Sequence, residues 1–243
     1  MRRSIETQAL AALLLAVAML DGCGGKSSTA PEPLAGMPPP DSPSGVLRAF
    51  EWAWNQRLPD AYKPLFTADY TFAFAALDTA AHRYATTPWS RSDEQIAFAN
   101  LASSAAGITV RFDKTFAVFP DPRPGKSDDL RRKNIRTQVL LTIYLHDGSL
   151  INVQGNANFF LVRGDSAAIP PDLGLGSDSG RWYIERWEDE TYAGGIGSRI
   201  QPAMVTTWGD VKVRFRDLSP PARSFASLPA RRAPPVTPRG ARS

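Results

Sequence analysis

Cysteine and histidine are the two residue types that this chain nearly lacks. Its 243 residues include one cysteine, Cys23, and two histidines, His82 and His146. A lone cysteine excludes a disulfide within the chain. Two histidines without clustered carboxylates are too few for a zinc site of the usual kind, in which several His, Cys or acidic side chains converge. The sequence therefore predicts no metal and no other cofactor.

The apolar run at the start of the chain is too short for a membrane span. Residues 9–20 read ALAALLLAVAML, whereas a helix needs about 20 apolar residues to cross a bilayer. The run follows the basic Met1-Arg2-Arg3 and ends close to Cys23. A basic start followed by a short apolar run is typical of a signal peptide, which we place at residues 1–22.

The four residues Leu20-Asp21-Gly22-Cys23 resemble the lipobox of bacterial lipoproteins, with Asp21 in place of a small uncharged residue. The resemblance implies that Cys23 is lipidated and becomes the mature N-terminus, and more than one acyl chain makes such anchoring stable. It also implies a lipid-anchored protein of the bacterial cell envelope that faces the periplasm or the outside. The alternative is an ordinary secretory signal beside an incidental cysteine.

The 21 prolines gather towards the two ends and divide the chain into parts. Residues 23–41 combine Gly and Ser with Pro, which predicts a flexible, extended tether. Residues 42–192 are long enough for a core of ordinary size and form the predicted domain. Residues 193–243 are basic and rich in Pro and Arg, which predicts a largely disordered tail. Within that tail, VKVRF at 211–215 is expected to add an edge strand or to dock on the domain.

Two amphipathic helices are predicted in the first half of the domain. Ser42 caps the first helix and Pro43 takes its first position, and apolar residues then recur at spacings of three and four. The second helix is predicted to begin at Ser92-Asp93-Glu94-Gln95, which has the form of a capping box.

Residues 134–163 are the most strand-like stretch, in which two long alternating runs meet at Asp147-Gly148. A two-residue loop would pair apolar Ile143 with polar Asn152. A three-residue loop, with Gly148 left-handed in a bulge, pairs Ile143 with Ile151 instead. We therefore predict the bulged loop, with one apolar face for the helices and one polar face for solvent or a partner.

The last predicted strand of the domain is residues 180–191. Strict alternation places Trp182 and Ile184 on one face of this strand. The opposite face then carries Tyr183, Glu185 and Trp187. In the preceding strand, Gly155 has no side chain to pack and predicts a bend or bulge in the sheet.

This order of elements resembles the nuclear transport factor 2-like, SnoaL-like family, in which helices pack into the concave face of a strongly curved sheet. The resemblance spans residues 42–191 and is carried by FEWAWN at 50–55, LFTADY at 65–70 and RWYI at 181–184. It implies an α+β fold, a curved antiparallel sheet wrapped around N-terminal helices, with a pocket between the helices and the sheet. A shared fold does not by itself determine function.

The resemblance also implies that Asp, His or Tyr side chains inside the cone would carry any catalysis. The first candidates of these types are His82, Asp69 and Tyr70. Further residues of the same types are Tyr84, Asp113 and Tyr144. No motif supports any of them, and a general base must in addition reach the proton that it removes.

Two functions of different classes follow from these observations. The first is a membrane-anchored envelope lipoprotein, held through acylated Cys23, whose cone is a non-catalytic binding or protein-interaction module able to form a homodimer through the outer sheet face. The second is a SnoaL-like small-molecule isomerase or dehydratase that acts by proton transfer in the cone. A small hydrophobic ligand suits either function. A nucleic acid partner is not expected, because an exported lipoprotein rarely meets one.

Overall fold

The computed structural model describes residues 34–76, 78, 84, 87–192 and 203–218. The chain divides into two compact units, Met1–Gly36 and Met37–Ser243. Residues 34–36 are the described part of the first unit, and the second unit contains the helices and strands given below. The predicted signal peptide, the predicted lipidation site Cys23 and the candidate catalytic residue His82 lie outside the described residues.

Four helices and eight strands make up the described part of the second unit. The helices are α1, Pro43–Gln56; α2, Pro59–Tyr62; α3, Arg91–Ser104; and α4, Trp208–Arg216, with short 3-10 turns at Lys63–Leu65 and Pro171–Leu173. The strands are β1, Phe66–Ala73; β2, Trp89–Ser90; β3, Ala105–Phe112; β4, Phe119–Pro120; β5, Arg132–Leu145; β6, Leu150–Arg163; β7, Trp182–Tyr192; and β8, Ala203–Val205.

The described strands all belong to one sheet, in the order β2-β1-β7-β6-β5-β3, with β4 paired to β5 and β8 paired to β6. Two of the pairings, β1 with β7 and β6 with β8, are parallel, and the others are antiparallel. Buried side chains of the helices and of the inner strand faces form one continuous core. The predicted α+β cone is confirmed, although its sheet is mixed and not purely antiparallel.

Helix α1 begins as predicted. The Ser42 hydroxyl accepts a hydrogen bond from the backbone N–H of Gly45 at 3.0 Å, and Pro43 takes the first helical position, where an N–H has no partner within the helix. The helix ends at Arg57, whose backbone is left-handed with φ 54°.

The N-cap of helix α3 lies two residues before the predicted one. Its N-cap is Ser90, whose hydroxyl accepts a hydrogen bond from the N–H of Asp93 at 3.3 Å, while the Asp93 carboxylate accepts from the N–H of Ser90 at 2.9 Å. The box predicted at Ser92 is therefore wrong. In the observed register, Glu94 lies on the buried face of the helix, together with Ala97, Phe98 and Leu101.

Strands β5 and β6 form the hairpin in the predicted register. Ile143 pairs with Ile151 and Leu141 with Val153, and the loop closes through hydrogen bonds of Leu145 with Gly148 and Ser149. Gly148 has φ 83°, the left-handed conformation that the bulged loop requires. Both predictions for this hairpin are confirmed.

Gly155 marks a close approach between β6 and β7. It has φ 142°, and a Cβ at this position would lie 2.6 Å from the Cα of Thr191 on the neighbouring strand. Any larger residue would push the two strands apart. The pairing of β6 with β5 and with β7 continues through Gly155 without a shift, so the bulge predicted there is wrong, and the shift in the β6–β7 pairing lies between Phe160 and Leu161.

Strand β7 departs from strict alternation at Glu185. Its pairing with β6 shifts between Ile184, opposite Leu161, and Arg186, opposite Phe160. The extra residue reverses the facing of the residues that follow. Trp187 is therefore fully buried in the core on the same side as Ile184, and the prediction that it lies on the face opposite Ile184 is wrong.

The fold continues beyond the predicted domain end at Tyr192. Strand β8 lies parallel to the start of β6, with Met204 opposite Ile151. Helix α4 follows, and the segment 211–215, for which an edge strand or docking was expected, docks as part of this helix. Its residues in the core are Trp208, Val211, Val213 and Phe215. Residues 203–218 thus belong to the domain and not to a tail.

Candidate functional site

The interior of the cone, between α1–α3 and the inner face of the sheet, is filled by aromatic side chains. Phe50 of α1 lies at its centre, with ring centroids 5.1 Å from Tyr62, 5.4 Å from Trp187, 5.7 Å from Phe159 and 6.1 Å from Trp208. Such edge-to-face and tilted pairs are attractive in addition to the apolar surface that they bury. The place where the resemblance implied a pocket is therefore packed.

The carboxylate of Glu94 lies among these rings, and Glu94 is 1% exposed. Its Oε1 accepts a hydrogen bond from the Tyr62 hydroxyl at 2.7 Å. Its Oε2 accepts from the Tyr70 hydroxyl and from Trp89 Nε1, both at 3.1 Å, and from Lys212 Nζ. A buried charge is tolerated when it is paired and hydrogen-bonded in this way. Donors from the same chain therefore occupy both oxygens of the Glu94 carboxylate.

Lys212 is the charge partner of Glu94 and comes from α4. Its side chain is 3% exposed, and Nζ lies 3.5 Å from the ring centroids of both Phe72 and Trp187. The negative faces of aromatic rings attract cations, most strongly where water is excluded. Burial lowers the pKa of Lys212 to about 8, although the charge of Glu94 acts in the opposite direction.

The two phenols that donate to Glu94 are held in their neutral form. Burial, followed by the charge of Glu94, raises the pKa of Tyr62 and Tyr70 well above the ordinary value of 10.0. They therefore act as hydrogen-bond donors that orient the carboxylate at neutral pH.

Buried carboxylates also hold the start of α4. Thr207 caps the helix and donates a hydrogen bond to Asp78 Oδ2 at 2.8 Å. The N–H of Gly209 donates to Asp189 Oδ2 at 2.8 Å. Negative charge at a helix N-terminus is favourable, and burial raises the pKa of Asp189 even though hydrogen bonds from Thr191 and Gly209 oppose the shift.

The other end of α4 is held by helix α3. Asn100 Nδ2 donates hydrogen bonds to the carbonyl oxygens of Phe215 at 2.8 Å and Leu218 at 3.0 Å. Arg216 Nε also lies 2.8 Å from Asp93 Oδ1. Both ends of the helix are thus fixed to the cone, which determines where Lys212 enters.

Two of the three candidate catalytic residues, Asp69 and Tyr70, are described, and they lie on opposite faces of β1. Asp69 is exposed on β1, whereas Tyr70 next to it points inward to Glu94. His82 lies outside the described residues. Alternation along a strand separates Asp69 from Tyr70, so the described pair does not form an acid–base site.

The remaining candidates lie apart from one another. The Asp113 carboxylate accepts hydrogen bonds from Thr137 Oγ1 at 3.0 Å and from the N–H of Gln138 at 2.9 Å, which is a structural role at a strand end. The ring of Tyr84 stacks on Phe74 at 5.2 Å. Tyr144 lies on the outer face of the sheet, and His146 is exposed at the hairpin tip.

The central residues of the interior, Glu94 and Lys212, were absent from the predicted set. Each occupies an otherwise apolar helical stripe. Glu94 is followed at the same face by Ala97, Phe98 and Leu101, and Lys212 shares its face with Trp208, Val211 and Phe215. A single charged residue on an otherwise apolar helical face is the sequence signal that could have identified Glu94 and Lys212. The capping box predicted at Ser92 and the tail predicted from residue 193 concealed this signal.

The outer face of the sheet carries a row of polar side chains with exposed apolar ones among them, including Leu140 at 57% and Tyr144 at 50%. Leu140 and Tyr144 border a shallow cavity of about 310 Å³, together with Thr109, Arg111 and Thr142. A second cavity of about 290 Å³ lies between α4 and the β6–β8 edge, lined by Ile151, Met204, Thr206, Asp210, Val211 and Arg214.

The described residues give no further indication of a metal or a membrane span. Within the described ranges, no three or more His, Cys, Asp or Glu side chains are grouped so that they could hold a metal ion. No helix in that part of the chain is both long and apolar enough to cross a bilayer.

No protein-family model and no curated protein matches this sequence. Similar solved structures include a conserved protein from Planctomyces limnophilus, with 14% identity and a TM-score of 0.44 over 61% of this chain and 92% of that chain. A nuclear transport factor 2-like superfamily protein from Salmonella enterica has 14% identity and a TM-score of 0.40, covering 63% and 91%.

A third similar structure is a hexachlorocyclohexane dehydrochlorinase from Novosphingobium barchaimii. It has 8% identity and a TM-score of 0.42, and the match covers 64% of this chain and 88% of that chain. These identities and TM-scores are low, so the similarities assign neither an activity nor a ligand to this chain.

Proposed function

We propose that this protein is a bacterial envelope lipoprotein, anchored through acylated Cys23, whose cone domain is a non-catalytic binding or protein-interaction module. The observation that supports the non-catalytic part is the occupied interior. Glu94 is bonded to Lys212, Tyr62, Tyr70 and Trp89 of the same chain. Function is then expected on the outside of the cone and not within it.

The proposed membrane anchor is tested by replacing Cys23, the residue that would be acylated. In the Cys23→Ser variant no thiol remains for acylation, so the protein should move from the membrane fraction to the soluble fraction. Ser27→Ala, a change close to the same site, should stay with the membrane. Retention of Cys23→Ser in washed membranes would contradict the lipoprotein proposal.

The proposed partner surface is the outer sheet face, through which a second copy of the chain would bind. Leu140 and Tyr144 supply apolar area there, beside the polar row of β5 and β6. Light scattering on the purified protein should give twice the chain mass, and Leu140→Glu should reduce it to the monomer. Leu130→Glu, at a residue that is 76% exposed in a loop, is the matched control and should remain dimeric.

A small hydrophobic ligand is the second proposed partner. The cavity of about 290 Å³ has Ile151, Met204 and Val211 in its lining and is close to the lower end of the size range of ligand pockets. Met204→Trp should fill it and abolish binding of an environment-sensitive apolar dye. Equal dye binding by the variant and the wild type would contradict a ligand site in this cavity. We propose no nucleic acid partner.

The alternative function, an isomerase or dehydratase acting by proton transfer, is favoured by one observation. Tyr70 and Glu94 are hydrogen-bonded at 3.1 Å in the interior, and such a pair can pass a proton if Lys212 withdraws. The test is exchange of the α-proton of a cyclic ketone in D₂O, followed by NMR. Exchange above the buffer rate that is lost in Tyr70→Phe would establish the alternative and overturn the non-catalytic proposal.

A further inference from the structure

We propose that the cone contains a binding site for a primary alkylammonium group, and that the chain fills this site with its own Lys212 side chain. The proposal concerns the interior alone and does not depend on the membrane anchor or on the outer sheet face.

The groups around Lys212 Nζ have the chemistry that recognises an organic cation. Glu94 supplies a buried anion, and Phe72 and Trp187 each present a ring face at 3.5 Å. A carboxylate combined with aromatic faces binds an ammonium group through charge and through cation–π attraction. The enclosed site also excludes water, which strengthens both contributions.

All of these groups come from elements other than α4. Glu94 lies on α3, Phe72 on β1 and Trp187 on β7, whereas Lys212 is supplied by a helix that follows the last of them in the chain. The carboxylate and the two rings that contact Nζ are therefore supplied by the rest of the fold, although α4 also packs against the site through Trp208, whose ring centroid lies 4.6 Å from that of Trp187. Lys212 acts towards this site as a ligand that is tethered to the protein.

The carboxylate is also oriented without help from Lys212. The Tyr62 hydroxyl bonds Oε1, and the Tyr70 hydroxyl and Trp89 Nε1 bond Oε2. Donors fixed in a packed core hold an acceptor in its binding geometry before the ligand arrives, which lowers the cost of binding. Removal of Lys212 would leave this carboxylate buried without its charge partner, which is strongly destabilising, and a bound ammonium group of suitable shape would restore the pair.

The size of the expected ligand follows from the side chain that it replaces. Lys212→Ala removes three carbons and the ammonium group, which is the composition of n-propylammonium. The stem must pass beside Phe72 and Trp187 to reach Glu94, so an unbranched chain is required. 1-Propanol has the same stem without the charge, and it separates ammonium recognition from the filling of an apolar cavity.

The experiment measures the thermal midpoint of Lys212→Ala with n-propylammonium chloride, with 1-propanol and with sodium chloride at matched concentrations. Ammonium at about ten times its dissociation constant should raise the midpoint by roughly 3–6 °C. The alcohol and the salt should produce no comparable rise. The wild-type protein, whose site is occupied, should not respond to the amine.

The double variant Glu94→Gln/Lys212→Ala should lose the response, because the anion is gone. An equal rise with 1-propanol, or a rise that persists in the double variant, would overturn the proposal. If Lys212→Ala alone does not fold, n-propylammonium should restore its near-ultraviolet circular dichroism, whereas 1-propanol should not. A failure of n-propylammonium to restore the signal would also overturn the proposal. Glu94→Gln/Lys212→Met, with neither charge, should fold without any amine.

Discussion

Glu185 is a carboxylate at the residue where β7 bulges, and it is 7% exposed because basic side chains from the neighbouring loop and strand reach it. Arg132 NH1 lies 2.7 Å and Lys126 Nζ 3.2 Å from its Oε1, and Arg123 contacts its Oε2. Burial acts to raise the pKa of Glu185, but the hydrogen bonds and charges of Arg132 and Arg123 outweigh it and bring the pKa to about 2.

A depressed pKa in the folded state makes this carboxylate a source of acid-sensitive stability. Its contribution is complete above the ordinary glutamate pKa of 4.5 and is lost as the pH falls towards about 2. Glu185→Gln should therefore lower the unfolding free energy by roughly 2–3 kcal/mol at pH 6. Urea titrations at a series of pH values should show the two proteins converging below pH 4.5.

The matched control is Glu190→Gln, which breaks the ion pair with the exposed Arg136. An exposed pair is worth about 0–1 kcal/mol, so this change should have a small effect. A stability difference between wild type and Glu185→Gln that stays constant down to pH 2 would show that the Glu185 carboxylate is not the source of the acid-sensitive stability.

Two glycines offer a second test at this scale. At Gly155 a Cβ would lie 2.6 Å from the Thr191 Cα, and φ is 142°, whereas Gly176 has open space around it. We expect Gly155→Ala to cost about 1–3 kcal/mol or more, since strain and steric overlap add together. Gly176→Ala should remain within about 0.5 kcal/mol of the wild type. Equal melting temperatures for the two variants would contradict the close approach of β6 and β7.

At the scale of elements, the start of α3 determines which of its residues face the core. Two serines stand near that start, Ser90 as the observed N-cap and Ser92 as the predicted one. They differ in their contacts: Ser90 exchanges hydrogen bonds with Asp93, whereas Ser92 is exposed. The cap therefore fixes the register that turns Glu94 inward.

The two serines can be distinguished by substitution. Ser90→Ala should destabilise the protein by about 0.5–2 kcal/mol, because the Asp93 N–H loses its acceptor at the helix start. Ser92→Ala should change stability by less than about 0.5 kcal/mol. Chemical denaturation of both variants measures the difference, and the reverse order would restore the capping box predicted at Ser92.

At the scale of the whole molecule, the segment after Tyr192 completes the core. Helix α4 contributes Trp208, Val211, Val213 and Phe215 to the interior, besides Lys212. Burying each such apolar side chain is worth about 1.5–3 kcal/mol. Their sum is comparable with the total stability of about 5–15 kcal/mol of an ordinary domain.

A chain that stops after Pro202 should therefore not fold stably. We expect it to lack a cooperative thermal transition, while a chain that stops after Leu218 keeps every described contact of α4 and melts within a few degrees of the full-length protein. Circular dichroism of the two truncated chains provides the measurement. A cooperative transition in the shorter chain would show that residues 42–192 suffice as a domain.

Much of the architecture was predictable because it depends on neighbours in the chain. Ser42 and Pro43 specify the start of α1 through contacts within a few residues. The hairpin register follows from a period of two on each strand and from one glycine that can adopt φ 83°. Contacts of this kind follow from local spacing, whereas the α+β cone was expected from the family resemblance over residues 42–191.

The interior could not be predicted in the same way. Trp187 faces inward because a bulge at Glu185 interrupts the alternation, and a bulge is decided by the pairing of β7 with β6 and not by β7 alone. The sequence predicts Glu94 as part of a helix cap and Tyr70 as a candidate residue, but it does not predict that the two are hydrogen-bonded. Sequence periodicity predicts on which face of a helix or strand a residue lies. It does not predict which residues of other helices and strands that face contacts.

The sequence by itself determined the hairpin with its bulged loop and the capped first helix, because local geometry and apolar spacing are sufficient for each, whereas the α+β class was implied by the resemblance to the SnoaL-like family. It also carries the lipobox-like segment ending at Cys23, from which the proposed anchor follows. Only the tertiary structure decided that residues 208–216 form a core helix and that Lys212 meets Glu94, 118 positions away. The physical reason is that a buried charge is stable only beside its partner, and that partner is brought near by the fold as a whole.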